Sequence, residues 1–215
     1  MKNSLFTISL MFSFILMFTL CSRNPLKIVA FGDSITAGTY LNGKSWVYHL
    51  DKQNDKITVV NAGRNGRKTS DKHELIPVIQ NNKDTDIFMI FLGVNDLKDG
   101  NDSLVENCVN NVSWMIDMLK QSIPDVKIYL LSPCDINLET MSELNKQKKY
   151  NQNTKNSLYK LNKEYEKLAK RKKVEFISLL KSVSTQNYTD GLHPDSNGQT
   201  EIANTIWERL KCCVK

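Results

Sequence analysis

The chain has little from which to build a metal centre or a cross-linked scaffold. Its five cysteines, Cys21, Cys108, Cys134, Cys212 and Cys213, include no C-x-x-C pair. Their spacing fits neither zinc ligation nor a disulfide framework, and no metal or other cofactor is called for. Histidine is scarce, with 3 in 215 residues, so histidine-based chemistry has three places to reside. No internal repeat or low-complexity linker interrupts the sequence. The one long apolar run, Leu5–Leu20, stops at about 16 residues, short of the roughly 20 that a spanning helix needs. A nucleic-acid groove is missing too. The net charge is +6 and the pI about 9.0, but the lysine excess gathers between Lys146 and Lys173 without the aromatic and arginine pattern of such a groove. It reads as a solvated helix face, and nucleic acid is not expected as a partner.

What is present is enough for one sizeable core. Hydrophobic residues make up 40% and charged residues 24% of the chain, ordinary values for a globular domain. Residues 1–21 stand apart from it. Lys2 followed by the uncharged run Leu5–Leu20 has the form of a secretory leader. Cys21 sits where a bacterial lipoprotein would be cleaved and acylated, although Leu20 occupies a position usually held by a small residue. Export follows as the expectation, to the periplasm, the exterior, or the cell envelope through a lipid at Cys21. The functional domain is then residues 22–215.

Within that domain, strand and helix patterns alternate. Apolar runs at Ile28–Phe31, Ile57–Val60, Ile87–Leu92, Val126–Leu131 and Val174–Ile177 read as buried strands. Between them lie Ser45–Leu50, a weak segment Asp71–Gln80 with Pro77 inside, and a clear helical face in Leu104–Leu119. A stripe of Leu158, Leu161, Tyr165 and Leu168 follows, and a last helix carries Ile202, Ile206 and Leu210. Alternation of this kind predicts an α/β fold, a five-stranded parallel sheet with helices on both faces in a three-layer α/β/α sandwich.

The chemistry gathers at the ends of the strands. Ile28–Phe31 runs into Gly32-Asp33-Ser34, which sets a serine at the carboxyl edge of the sheet, where open α/β folds hold ligands. A nucleophilic serine needs a base, a group to orient that base, and donors for a developing oxyanion. His49 and His73 read as a short-helix residue and an exposed residue. His193 differs, because Asp190 precedes it by three residues across Gly191, so a turn can bring the carboxylate to one imidazole nitrogen. Asp190-Gly191 also reads as a plain turn. Two further loops open on the same edge, Asn61-Ala62-Gly63-Arg64-Asn65-Gly66 and Gly93-Val94-Asn95-Asp96. They offer a close backbone approach at Gly63 and a neutral side-chain donor at Asn95.

A rival motif overlaps this region. Gly38–Ser45 fits the P-loop pattern G-x-x-x-x-G-K-[ST], with Lys44 and Ser45 at its end. A P-loop begins where its strand ends, however, and here Gly32–Ala37 intervenes. A binding module without catalysis is a third reading, since fold does not fix function.

Taken in order, the four blocks Gly32-Asp33-Ser34, the Gly63 loop, Gly93-Val94-Asn95-Asp96 and Asp190-Gly191-Leu192-His193 resemble the SGNH, or GDSL-type, esterase and lipase family over about residues 26–211. Ile35 stands where the eponymous motif has leucine. The resemblance implies a flavodoxin-like sandwich and a catalytic set of Ser34, His193 and Asp190. It also implies an oxyanion hole made of the Ser34 and Gly63 amides and the Asn95 side chain. Hydrolysis of a short-chain acyl ester, acetyl above all, of a carbohydrate or lipid through an acyl-enzyme is the implied activity. Thioesterase and lysophospholipase chemistry at the same site are the alternatives. Gly63–Thr69 is also similar to a segment in members that cleave aryl or carbohydrate acetyl esters.

Overall fold

The computed structural model describes residues 25–214, so the leader segment and Cys21 lie outside the described residues. Five parallel strands form one sheet in the order β2-β1-β3-β4-β5. They are β1 (Leu26–Gly32), β2 (Ile57–Gly63), β3 (Ile87–Phe91), β4 (Lys127–Leu131) and β5 (Glu175–Ile177). The central strand β3 is buried along its whole length, as a parallel strand covered on both faces must be. Alternate residues feed two separate cores. Val29, Phe31, Phe88, Ile90, Ile128 and Leu130 point to one face, and Ile28, Ala30, Met89, Tyr129 and Leu131 to the other.

The first face is covered by α3 (Leu75–Gln80), α4 (Asp102–Ser122) and α6 (Gln152–Lys172), the second by α2 (Trp46–Asp51) and α7 (Ser196–Leu210). The α6 stripe of Leu158, Leu161, Tyr165 and Leu168 is fully buried. Burying each such side chain is worth about 1.5–3 kcal/mol. Local sequence sets the helix starts. Asn101 accepts from the Leu104 amide, Asn151 forms a capping box with Thr154, and Asp195 accepts from the amides of Asn197 and Gly198.

Three segments depart from the sequence expectation. Asp71–Gln80 is not one helix but a 3-10 turn (Thr69–Glu74) leading into α3, with Pro77 in its first turn, where a missing N–H costs nothing. Two short helices carry no periodic signal, α1 (Ser34–Ala37) and α5 (Glu143–Gln147). The strands β1 and β2 extend to Gly32 and Gly63, which pair with one another at the carboxyl edge.

That last pairing is sterically exacting. A Cβ on Gly63 would lie 2.3 Å from the Ala37 nitrogen. Gly63→Ala should therefore lower stability by about 1–3 kcal/mol, the usual cost of overpacking, read as a fall in the urea midpoint. An unchanged midpoint would show that α1 can move away from β2 freely.

Candidate active site

The turn from β1 into α1 is built on Asp33. Its Oδ1 accepts the Ile35 amide at 2.9 Å and caps a helix only one turn long. Ser34 follows as the first helical residue, half-buried at the mouth of the sheet. Its Oγ lies 3.1 Å from His193 Nε2. On the far side of the ring, Nδ1 lies 2.9 Å and 3.1 Å from the two oxygens of Asp190. Asp190 also accepts the Leu192 and His193 amides through Oδ1. Burial raises the Asp190 carboxyl, but these hydrogen bonds and the His193 charge outweigh it and hold the group well below the usual carboxylate range. An ionised Asp190 accepts only, so Nδ1 carries the proton and Nε2 is free to accept from the Ser34 hydroxyl.

The base loop is held from outside. The Asp190 carbonyl accepts from the Ser142 amide at 3.1 Å and from Asn145 Nδ2 at 3.2 Å, while the Gly191 carbonyl accepts the Asn137 amide at 2.8 Å. The irregular stretch before α5 and α5 itself thus clamp the Asp190–His193 turn. Tyr40 closes the other flank. Its ring centroid is 4.9 Å from that of His193, and its hydroxyl donates to the Pro194 carbonyl and accepts from Gln199.

The donor side differs from the sequence expectation in one residue. Gly63 does not reach the cleft. Its amide donates to Asn61 Oδ1 at 2.9 Å, and it packs on Ala37 at the end of β2. Gly66, three residues on, lines the cleft instead, with φ at +72°, a conformation glycine adopts without strain. Among the described residues, the amides of Ser34 and Gly66 donate to no protein acceptor. Asn95 lines the cleft, and three partners orient its amide. Tyr150 donates to its Oδ1 at 2.7 Å, and Nδ2 donates to the Arg67 carbonyl at 3.2 Å and leans toward Asp33 Oδ2 at 3.4 Å.

Three residues to which the motifs assign no role support this arrangement. Arg67 is buried against the Phe31 ring, 4.0 Å from its centroid, and donates to the carbonyls of Gly32 and Ala62. Asp96 takes the Thr69 amide and hydroxyl, which fastens the loop after β2 to the loop after β3. Tyr150 is buried and carries no local motif.

The P-loop reading fails on backbone geometry. The amides of Gly43, Lys44 and Ser45 donate to the carbonyls of Gly38, Leu41 and Gly43, so they turn inward and cannot cradle a phosphate. His49 and His73 do not line the cleft, and His73 packs on Trp114. Cys108, Cys134, Cys212 and Cys213 are free thiols.

A five-stranded parallel sheet with Ser34, His193 and Asp190 brought together at its carboxyl edge is the arrangement of a hydrolase built on an open α/β sandwich. Residues 28–206 match the family described as GDSL-like Lipase/Acylhydrolase, and the chain belongs to it. It is a carboxylic ester hydrolase. Solved structures share the fold. The chain resembles Est24, a carbohydrate acetylesterase from Sinorhizobium meliloti, with 17% identity and a TM-score of 0.74 over 87% of this chain and 99% of that one. It resembles the native M. smegmatis aryl esterase with 19% identity and a TM-score of 0.74 over the same shares. The lipase/acylhydrolase from Enterococcus faecalis is similar at 23% identity and a TM-score of 0.67, over 88% and 97%. No curated protein sequence matches significantly.

Asp33 makes the site sensitive to pH. Burial pushes its carboxyl up to about 6, with Asp96 adding to the rise, against the opposing pull of the Ile35 amide, His193 and Arg67. The folded state therefore keeps a proton that the unfolded chain releases between about pH 4 and pH 6, and stability is lost as pH rises through that window. Asp33→Asn should remove a decline of about 3 kcal/mol across it, measured as the difference between parent and variant urea midpoints. Parallel profiles from acid to neutral pH would rule out a raised Asp33.

Proposed function

We propose that the protein hydrolyses short-chain acyl esters, acetyl above all, of a polar alcohol such as a carbohydrate, through an acyl-enzyme at Ser34. The observation that carries this reading is the relay of Ser34 Oγ, His193 and Asp190 at 3.1 Å and 2.9 Å, opening on a cleft with several amide and hydroxyl side chains in its wall. Ser34 Oγ attacks the ester carbonyl carbon as its proton passes to His193 Nε2. Collapse of the tetrahedral adduct breaks the bond to the alcohol oxygen, which takes that proton and leaves. Water then gives a proton to His193 and attacks the acyl-Ser34 carbonyl. Release of the acid returns the proton to Ser34. The Ser34 and Gly66 amides and Asn95 Nδ2 are the donors for the oxyanion, Gly66 taking the place first given to Gly63.

The lining supports a short acyl group. The cleft, of about 410 Å³, is walled by Thr39, Asn65, Asn95 and Asn145 with lysines at its margin. Its only large carbon surfaces are Tyr40, Tyr150 and Leu192. A long acyl chain would lie against polar groups that lose water without gaining partners, which disfavours the lysophospholipase alternative. The exposed face of Tyr40 beside His193 suits a polyhydroxylated alcohol. The likeness to a carbohydrate acetylesterase agrees with this reading at the level of the fold.

Ser34→Ala should abolish hydrolysis of chromogenic acetate while the melting temperature stays within a few degrees of the parent, and full activity in the variant would overturn the mechanism. Asn95→Ala should lower turnover by about 10²–10³. Tyr150→Phe should lower turnover less and leave KM nearly unchanged, since it frees the Asn95 amide without removing it. Across a chromogenic series from acetate to octanoate, kcat/KM should fall with chain length. A maximum at octanoate would return the choice to lipids.

A further inference from the structure

The margin of the cleft carries a charge that the hydrolysis itself does not use. Lys98 and Lys148 both line the cavity that holds Ser34 and His193. Lys98 lies over the Tyr150 ring, 5.3 Å from its centroid, on the aromatic face whose hydroxyl orients Asn95. Lys68 is close enough for its field, together with that of Lys148, to act on Lys98. Burial first and then these two like charges push the Lys98 ammonium below its ordinary value. Among the described residues, none of the three ammonium groups has a carboxylate within the 4.0 Å of an ion pair. Neighbouring cations do: Lys146 pairs with Glu143, Lys155 with Asp135, and Arg64 with Asp71 and Glu74. The acid next to Lys98 in sequence, Asp99, is engaged by Asn151 and Asn153.

Like charges held together without counter-ions repel one another, and a bound anion relieves that repulsion. We propose that Lys98 and Lys148 form an anion-recognition rim to which the nearby Lys68 adds its field, and that the substrate is a small acyl ester whose alcohol carries a negatively charged group, a carboxylate or a phosphate, next to the acylated hydroxyl. The inference rests on the hydrolase reading of the same cleft and deepens it. The rim selects among esters, while the Ser34 relay cleaves whichever ester is bound. Each charge adds little alone, but the three act on one anion, and together they should favour an acidic over a neutral ester by about tenfold in kcat/KM.

Acetate release is compared for O-acetylated glucuronic acid, O-acetylated glucose 6-phosphate and O-acetylated glucose. The ratio of each acidic ester to the neutral one is expected near tenfold and should collapse toward one in about 1 M NaCl, where screening shortens to roughly 3 Å. The combined substitution Lys68→Gln, Lys98→Gln, Lys148→Gln should lower the same ratio to about one. The two acidic arms tell a carboxylate preference from a phosphate preference. A ratio of one or less in the parent protein, or one that neither salt nor the substitutions change, overturns the proposal. Calorimetric titration of the Ser34→Ala protein with the same three esters reads the rim without turnover. Tighter binding of the acidic esters, lost on substituting the lysines, upholds the rim even if the parent hydrolyses none of them. Equal binding of all three overturns the rim even if the hydrolase reading stands.

Discussion

The Arg67 guanidinium is the interaction on which the edge of the sheet depends. A parallel sheet ends in carbonyls that have no further strand to pair with, and buried carbonyls without partners are costly. Arg67 reinforces that edge on two adjacent strands, donating at 2.7 Å to the Gly32 carbonyl, which also accepts the Arg64 amide, and at 2.6 Å to the Ala62 carbonyl. Its cation rests on the Phe31 ring, and Glu74 balances part of its charge at 3.0 Å. Burial first, and the Arg64 charge with it, lowers the pKa of this guanidinium, so its partners are what keep a charge there tolerable. With Arg67 fixed, its own carbonyl receives Asn95, and Gly66, the residue before it, is held at the cleft.

Two carboxylates flank the proposed nucleophile, and the fold gives them opposite environments. Asp190 sits in a turn that offers it backbone amides and an imidazole, and it stays ionised. Asp33 is buried beneath the serine with one good amide partner and a second carboxylate, Asp96, in its field, so its charged form is disfavoured. The separation suits each to one task. Asp190 holds His193 Nδ1, and Asp33 caps α1 and meets Asn95 Nδ2. The acid adjacent to Ser34 in sequence is thus part of its support, and the acid that addresses the base comes from the far end of the chain.

The irregular loop between β4 and α6 does more than connect them. Through Asn137, Ser142 and Asn145 it grips the backbone of the Asp190–His193 turn, and its last residues bring Lys148 and Tyr150 to the cleft. One segment therefore supports the proposed base, orients a donor and contributes to the cationic rim. Its contacts are single hydrogen bonds between distant residues, which leave no periodic trace in the sequence.

That difference separates what could be read in the chain from what could not. Five strands and the long helices followed from local pattern, because hydrophobic period acts over a few residues. Ser34, His193, Asp190 and Asn95 could be singled out for the same reason, each standing in a short motif at a strand or loop end. Gly63 and Gly66 are equivalent by composition. Only packing decided between them, since Gly63 is pressed against Ala37 with its amide taken by Asn61, while Gly66 turns onto the cleft. Arg67, Tyr150, Asn145 and Lys98 have no local mark at all. Their roles arise from side-chain directions set where separate strands, loops and helices meet, and those directions are fixed by tertiary packing rather than by neighbours in the chain.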